Sequence, residues 1–240
     1  AALNSTRGLV PRIFKATFLL SAYSIFISFS RASWIAGILV ILGLICLYPK
    51  YMVRLGLVVG IPLVLLGGGL LADQLSWAGE RLQSEEAARS ALSRLPVAYA
   101  AYRMFEAKPL FGWGYGNFDL YDRRFYGQVL GLPHDDKDHA SHNTYLTIIA
   151  EQGIIGLLLF IGPLIWWLVL TLKRLPGMPT SGFWSRKLLI VLWLVVLSHI
   201  TVNNFSNMQV IFGLGMWWIV LSLIASLVDA DRLPGYSPID

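Results

Sequence analysis

Hydrophobic and polar positions in this chain do not alternate with the short period of an exposed strand. They separate into long blocks. Apolar runs cover about residues 14–30, 32–48, 55–72, 144–172, 187–203 and 209–228. Most of them approach the roughly 20 residues that carry an α-helix across about 30 Å of hydrocarbon. The first two are short and nearly continuous, broken only at Ser30-Arg31-Ala32-Ser33, and the fourth is long enough to tilt or protrude. The pattern predicts an all-α polytopic membrane protein with about six transmembrane helices, read as one membrane domain over residues 1–240. A single long hydrophilic loop, residues 73–142, separates the third span from the fourth.

Within that loop the pattern changes to short helices. One is predicted over 79–92, and a second after Ser93 as N-cap, with Pro96 tolerated because it falls in the first turn. Leu95, Tyr99, Tyr102 and Phe105 recur at spacings of three and four and give the second helix an apolar face. Lys108-Pro109 ends it. Gly112, Gly114 and Gly116 make a turn-rich stretch, and residues 117–127 are aromatic and charged. The loop closes on His134-Asp135-Asp136-Lys137-Asp138-His139-Ala140-Ser141-His142-Asn143, which runs straight into the fourth span.

Composition sharpens this picture. Charged residues make up 14% of the chain, against about 25% in an average soluble domain, too few to cover a water-soluble globule. The net charge is +5. Its carriers are split among the short loops: Arg7, Arg12 and Lys15, then Lys50 and Arg54, then Lys173, Arg174, Arg186 and Lys187, then Arg232. That is the signature of membrane orientation and not of nucleic-acid binding, and it places these loops and both termini in the cytoplasm. The long loop, the polar turn 203–207 and Arg31 fall on the opposite side. With eight Lys/Arg and ten Asp/Glu, the long loop is mixed in charge and not a basic patch. The lone Cys46 lies in an apolar run and excludes an internal disulfide framework. The first residues lack a starting Met and the order of a signal peptide, so the chain reads as beginning inside a longer protein.

Several residues can carry chemistry, each with a plainer alternative. His142 stands where loop meets membrane helix; its imidazole can take a proton from a hydroxyl, or simply cap the helix. The His134–His142 cluster holds three His and three Asp, but its spacing fits no strong metal template, and no metal is expected. Arg31, flanked by apolar spans, suits phosphate or carboxylate, or snorkels to headgroups. Arg94 and Arg103 are nine residues apart and point to nearly opposite faces, so at most one lines a given pocket; either can also be an ordinary surface charge. Residues 111–116, with Trp113 among them, are no nucleotide loop; they read as a tight turn whose aromatics rest at the interface or stack on sugar rings. Glu151, about two turns into the fourth span, can orient a His or Arg, or sit at headgroup depth.

These parts line up with a known family. His142-Asn143, nine intervening residues, Gly153, two more and then Gly156 resembles the motif of the O-antigen ligase superfamily (the Wzy-type C-terminal domain), with Tyr145, Leu146 and Glu151 also in place. Upstream, Ser93-Arg94 followed by a helix and then Pro109-Leu110-Phe111-Gly112-Trp113-Gly114-Tyr115-Gly116-Asn117-Phe118 resembles its SGR…PLFGxGxGNF segment, and Ser30-Arg31-Ala32-Ser33-Trp34 resembles its SRGAW-type motif. The resemblance covers about residues 14–228 as the C-terminal half of such a protein. There are two departures. Ser93 replaces the Gly before the Arg, and His139 lies three residues before the motif His instead of two, so no role is carried to it.

The resemblance implies a multi-pass protein of the bacterial inner membrane, working at the periplasmic face. It implies transfer of a glycan from undecaprenyl pyrophosphate to an acceptor hydroxyl such as a lipid A core sugar, with no cofactor. By resemblance His142 is the general base, Arg31 and Arg94 hold the diphosphate, and Asn143, Glu151, Arg103 and Trp113 support substrate binding. Polymerisation of O-antigen or exopolysaccharide repeats and O-glycosylation of proteins are alternatives. A transport or assembly protein is a further one; it would place ionisable residues deep in several spans, where almost none stands beyond His199.

Overall fold

The computed structural model describes residues 9–28, 30–61, 94–126, 141–180, 184–205 and 211–229, with scattered positions between 65 and 92. Among the described residues all regular structure is helical. The helices are α1 (Leu9–Ile27), α2 (Arg31–Leu47), α3 (Pro49–Leu55, continued by a π turn, Gly56–Gly60), α4 (Arg94–Ala107), α5 (Phe118–Tyr121, followed by a 3-10 turn, Asp122–Arg124), α6 (Thr144–Arg174), α7 (Arg186–Asn203) and α8 (Ile211–Val228). Among the described residues two stretches are long and apolar enough to cross a membrane, Thr144–Gly177 and Arg186–Asn203; Ala16–Ile25, Ala32–Leu47 and Gly215–Val228 are shorter apolar helices. Most of the expected span 55–72, the helix expected over 79–92 and the Asp/His cluster before Ser141 lie outside the described residues.

The chain forms two compact units. One comprises residues up to Leu47, Pro163–Val202 and Ile211 onward; the other comprises Tyr48–Gly162 and Asn203–Val210. In the first, Ser30 starts α2 as its cap: its carbonyl accepts the Trp34 amide at 3.0 Å and its hydroxyl that of Ser33 at 3.4 Å. The Trp34 indole N–H reaches back to the carbonyl of Ile25 in the last turn of α1, at 3.1 Å. The serine and tryptophan of the Ser30–Trp34 segment therefore close a helical hairpin. Gly43 lets α2 approach the Leu194 side chain on α7, which an added Cβ would overlap; small residues serve this purpose where helices pack within a membrane. The Trp193 indole N–H finds the buried Thr171 hydroxyl at 2.9 Å, so neither group is left bare in an apolar setting.

The second unit holds the described residues of the long loop. Its core is small: Val97, Ala101 and Met104 of α4, Phe118 and Ala150, ringed by Trp113, Tyr121, Phe125, Tyr126 and Leu146. The helix starting at Arg94 and ending before Lys108 agrees with the sequence reading, but the buried face does not. Leu95, Tyr99 and Tyr102 are exposed, and Pro96, Val97, Ala100, Ala101 and Met104 are buried. Small side chains let α4 lie close to the start of α6, whereas tyrosines keep their hydroxyls at the surface.

Candidate functional site

The fourth expected span is not one continuous helix. Gly153 has φ 66° and ψ −165° inside α6, which breaks it into an upper segment beginning at Thr144 and a lower one running to Arg174. A break leaves N–H groups without partners below it and carbonyls above it. The loop after α4 supplies them. The carbonyls of Pro109 and Leu110 accept the amides of Ile154 (2.8 Å) and Ile155 (3.3 Å). The amides of Trp113 and Gly114 donate to the carbonyls of Ala150 (3.1 Å) and Glu151 (2.7 Å). Backbone passes so close to backbone that an added Cβ at Gly112 would overlap the Glu151 carbonyl, and one at Gly153 the Leu110 carbonyl; both glycines also have positive φ.

Glu151 completes the splice. It is 1% exposed, and its two carboxylate oxygens accept the amides of Gly116 and Phe118, each at 2.9 Å. Its side chain thus shapes the glycine-rich loop, where sequence reasoning left it to orient a His or Arg or to sit at headgroup depth. Trp113 is likewise packed into this framework. Its indole N–H donates to the Met104 carbonyl at 2.9 Å. Its ring meets Tyr121 and Phe125 at centroid distances of 4.8 and 5.3 Å and carries the Lys108 ammonium 4.0 Å above it. Within 111–116 the exposed aromatics are its neighbours Phe111 and Tyr115.

At the top of α6 stands His142, half-buried and held at φ 46°, the one non-glycine residue with positive φ among those described. For a residue with a Cβ that conformation costs on the order of 1–2 kcal/mol, and it persists where the surroundings over-determine it. Those surroundings are explicit. Asn143 is the N-cap of α6: its Oδ1 accepts the amides of Tyr145 and Leu146, each at 3.0 Å. Its Nδ2 donates to the Asn204 carbonyl at 3.2 Å. On the other flank, the buried Ser141 hydroxyl donates to the Asn143 carbonyl at 2.9 Å and is hydrogen-bonded to the Thr147 hydroxyl. The Tyr145 phenol hydrogen-bonds the buried Asn203 side chain. Asn203 and Asn204, read in the sequence only as part of a polar turn, therefore brace the His142 segment.

The two arginines of α4 differ. Arg94 opens the helix and is exposed there, although helical geometry sets it within about 20° of the buried Ala101. Arg103 lies about 180° away, exposed and paired with Glu106 at 2.7 Å. The same Glu106, by hydrogen bond and negative charge, raises the Tyr102 phenol above its ordinary pKa. Arg31 is the first residue of α2, in the other unit, and its side chain lies outside the described set. The structure thus gathers Trp113, Glu151, Asn143 and His142 along the upper part of α6, with the packed side of α4 against it. Among the described residues no group of three His, Cys, Asp or Glu is placed to hold a metal ion.

The family model described as O-antigen ligase matches residues 16–161, more than half of the chain; the match takes in Arg31, α4, the loop after it and α6 as far as residue 161, and leaves out the Asn203–Asn204 brace. No curated protein and no solved structure matches.

Proposed function

Because the chain belongs to the O-antigen ligase family, we propose that it transfers a glycan from undecaprenyl pyrophosphate to an acceptor hydroxyl, such as a lipid A core sugar, at the outer face of the bacterial inner membrane. Family membership and apolar helices make it an integral membrane enzyme of the ligase or polymerase kind. The finer reading rests chiefly on His142, held in a strained conformation by caps on both sides where loop meets membrane helix.

In this reading the acceptor oxygen attacks the anomeric carbon of the donor sugar. The new glycosidic C–O bond forms as the bond to the diphosphate oxygen breaks. The hydroxyl proton passes to the His142 imidazole, and the electron pair leaves on undecaprenyl pyrophosphate. Negative charge grows on that diphosphate, and Arg94 and Arg31 are the cations assigned to stabilise it. No metal or nucleotide is needed, because the diphosphate linkage already carries the leaving group. Positive residues at Lys50, Arg54, Lys173 and Arg174 support placing the opposite, His142-bearing end outside. Asn143 and Glu151 serve by holding His142 and the glycine-rich loop in place.

The test is glycan transfer by the purified protein in liposomes containing the lipid-linked donor and a core-sugar acceptor. His142→Ala is expected to lower the rate by roughly 10²-fold or more without changing thermal stability. Undiminished transfer by that variant would overturn the assignment.

A further inference from the structure

The splice across the α6 break fixes the depth at which part of the loop meets the membrane. Counting back from Lys173, at the charged end of α6, about 20 residues at 1.5 Å each span about 30 Å of hydrocarbon and end near Ile154. Ile154 and Ile155 are the residues whose amides bond to Pro109 and Leu110. The Pro109–Phe111 segment is therefore tied to the helix at the boundary between hydrocarbon and headgroups.

Its side chains suit that depth. Leu110 is 58% exposed and Phe111 72%, although the core of the unit lies immediately behind them. Directly below, Ile155, Leu158 and Leu159 are also exposed, at the three- and four-residue spacing of one helical stripe. The apolar surface of the loop thus continues the apolar surface of a helix able to cross a membrane, and the first charged residue before it in the chain is Lys108, whose ammonium lies over the Trp113 ring. Water would leave these side chains uncompensated, and the Pro109 and Leu110 carbonyls beside them are already bonded to α6.

We propose that Leu110 and Phe111 form an interfacial foot, inserted into the outer edge of the bilayer beside the Ile155–Leu159 stripe, and that lipid is what covers this surface. The foot holds the glycine-rich loop, and with it the break in α6, at a set depth. The inference concerns lipid contact and stands whatever reaction the protein catalyses.

Cys46 is the single cysteine, so a Cys46→Ala background accepts one nitroxide at a time, at Leu110→Cys, Phe111→Cys or, as a water-facing reference, Arg124→Cys. In vesicles of phosphatidylethanolamine and phosphatidylglycerol, power-saturation spectroscopy compares collisions with oxygen, which concentrates in lipid, and with a water-soluble nickel chelate. Oxygen is expected to dominate at 110 and 111, and nickel at 124. Nickel-dominated relaxation at 110 and 111 would show a water-facing loop and overturn the proposal. Poor access to both reagents would show that protein covers the surface, which would overturn it equally. Unchanged thermal unfolding of each labelled variant confirms that the fold is intact.

Discussion

Glu151 and Phe118 meet across 33 positions of sequence, the carboxylate of one accepting the backbone amide of the other at 2.9 Å. The contact joins a membrane helix to the loop that covers its break, and it makes Glu151 a support for backbone. Glu151→Ala leaves the buried Phe118 amide without an acceptor, at a cost of about 1–3 kcal/mol, with a further loss at Gly116. Glu151→Gln keeps one acceptor oxygen and is expected to fall between. Thermal unfolding and amide hydrogen exchange over 112–118 check both: exchange should rise most in the alanine variant.

The glycines where the loop meets α6 should not behave alike. Gly112→Ala and Gly153→Ala each drive a Cβ into backbone of the facing segment. Gly116 shares the positive φ but faces open space, so its alanine variant bears only the conformational cost of about 1–2 kcal/mol. Yield of folded protein after extraction should therefore collapse for the first two and fall modestly for the third.

Arg94 and Arg103 separate two readings of one helix. Arg94→Ala is expected to lower glycan transfer by more than roughly tenfold, the loss of a cation facing developing charge. Arg103→Ala removes an exposed ion pair worth about 0–1 kcal/mol and should leave transfer within about twofold. A silent Arg94→Ala beside an inactive Arg103→Ala would reverse the assignment of the diphosphate-facing side.

Asn143 performs two tasks that can be divided. Asn143→Asp retains an oxygen for the Tyr145 and Leu146 amides but loses the donor to Asn204. Asn143→Ala loses both, and the cap alone is worth about 1 kcal/mol. Stability should drop mainly in the alanine variant. Transfer should drop in both if the Asn204 contact holds His142 in its conformation, and wild-type rates for Asn143→Asp would show that the contact is dispensable.

Trp113 distinguishes packing from sugar contact. Trp113→Phe should keep the substrate KM and lose stability through the hydrogen bond to Met104, whereas Trp113→Ala empties the small core at about 3–5 kcal/mol. A raised KM for the phenylalanine variant, with stability intact, would return Trp113 to the substrate.

Much of this was legible in the sequence for a physical reason. Apolar blocks report helices because a membrane leaves few alternatives, and Lys108-Pro109 marks the end of α4 because proline cannot continue it. His142 stood out at the junction of loop and span. The buried face of α4 was misread because tyrosines at helical spacing look apolar, while the alanines that pack in their place carry little hydrophobic signal. The break at Gly153 and the work of Glu151 were hidden for another reason. Both depend on backbone groups 33 to 45 positions earlier, and no local pattern in the fourth span records which carbonyl or amide will arrive there. A glycine and a buried glutamate two residues apart, facing a glycine-rich loop, were the available signal.

Four of the hydrogen bonds across the α6 break run from main chain to main chain, and the two that Glu151 adds also take loop backbone amides. The joint is consequently indifferent to most of the side chains the loop displays. Tyr115 and Leu120, exposed beside it, can be exchanged without disturbing the footing of His142. Such positions are free to change one substitution at a time while the frame around His142, to which the proposed glycan transfer is assigned, stays as it is.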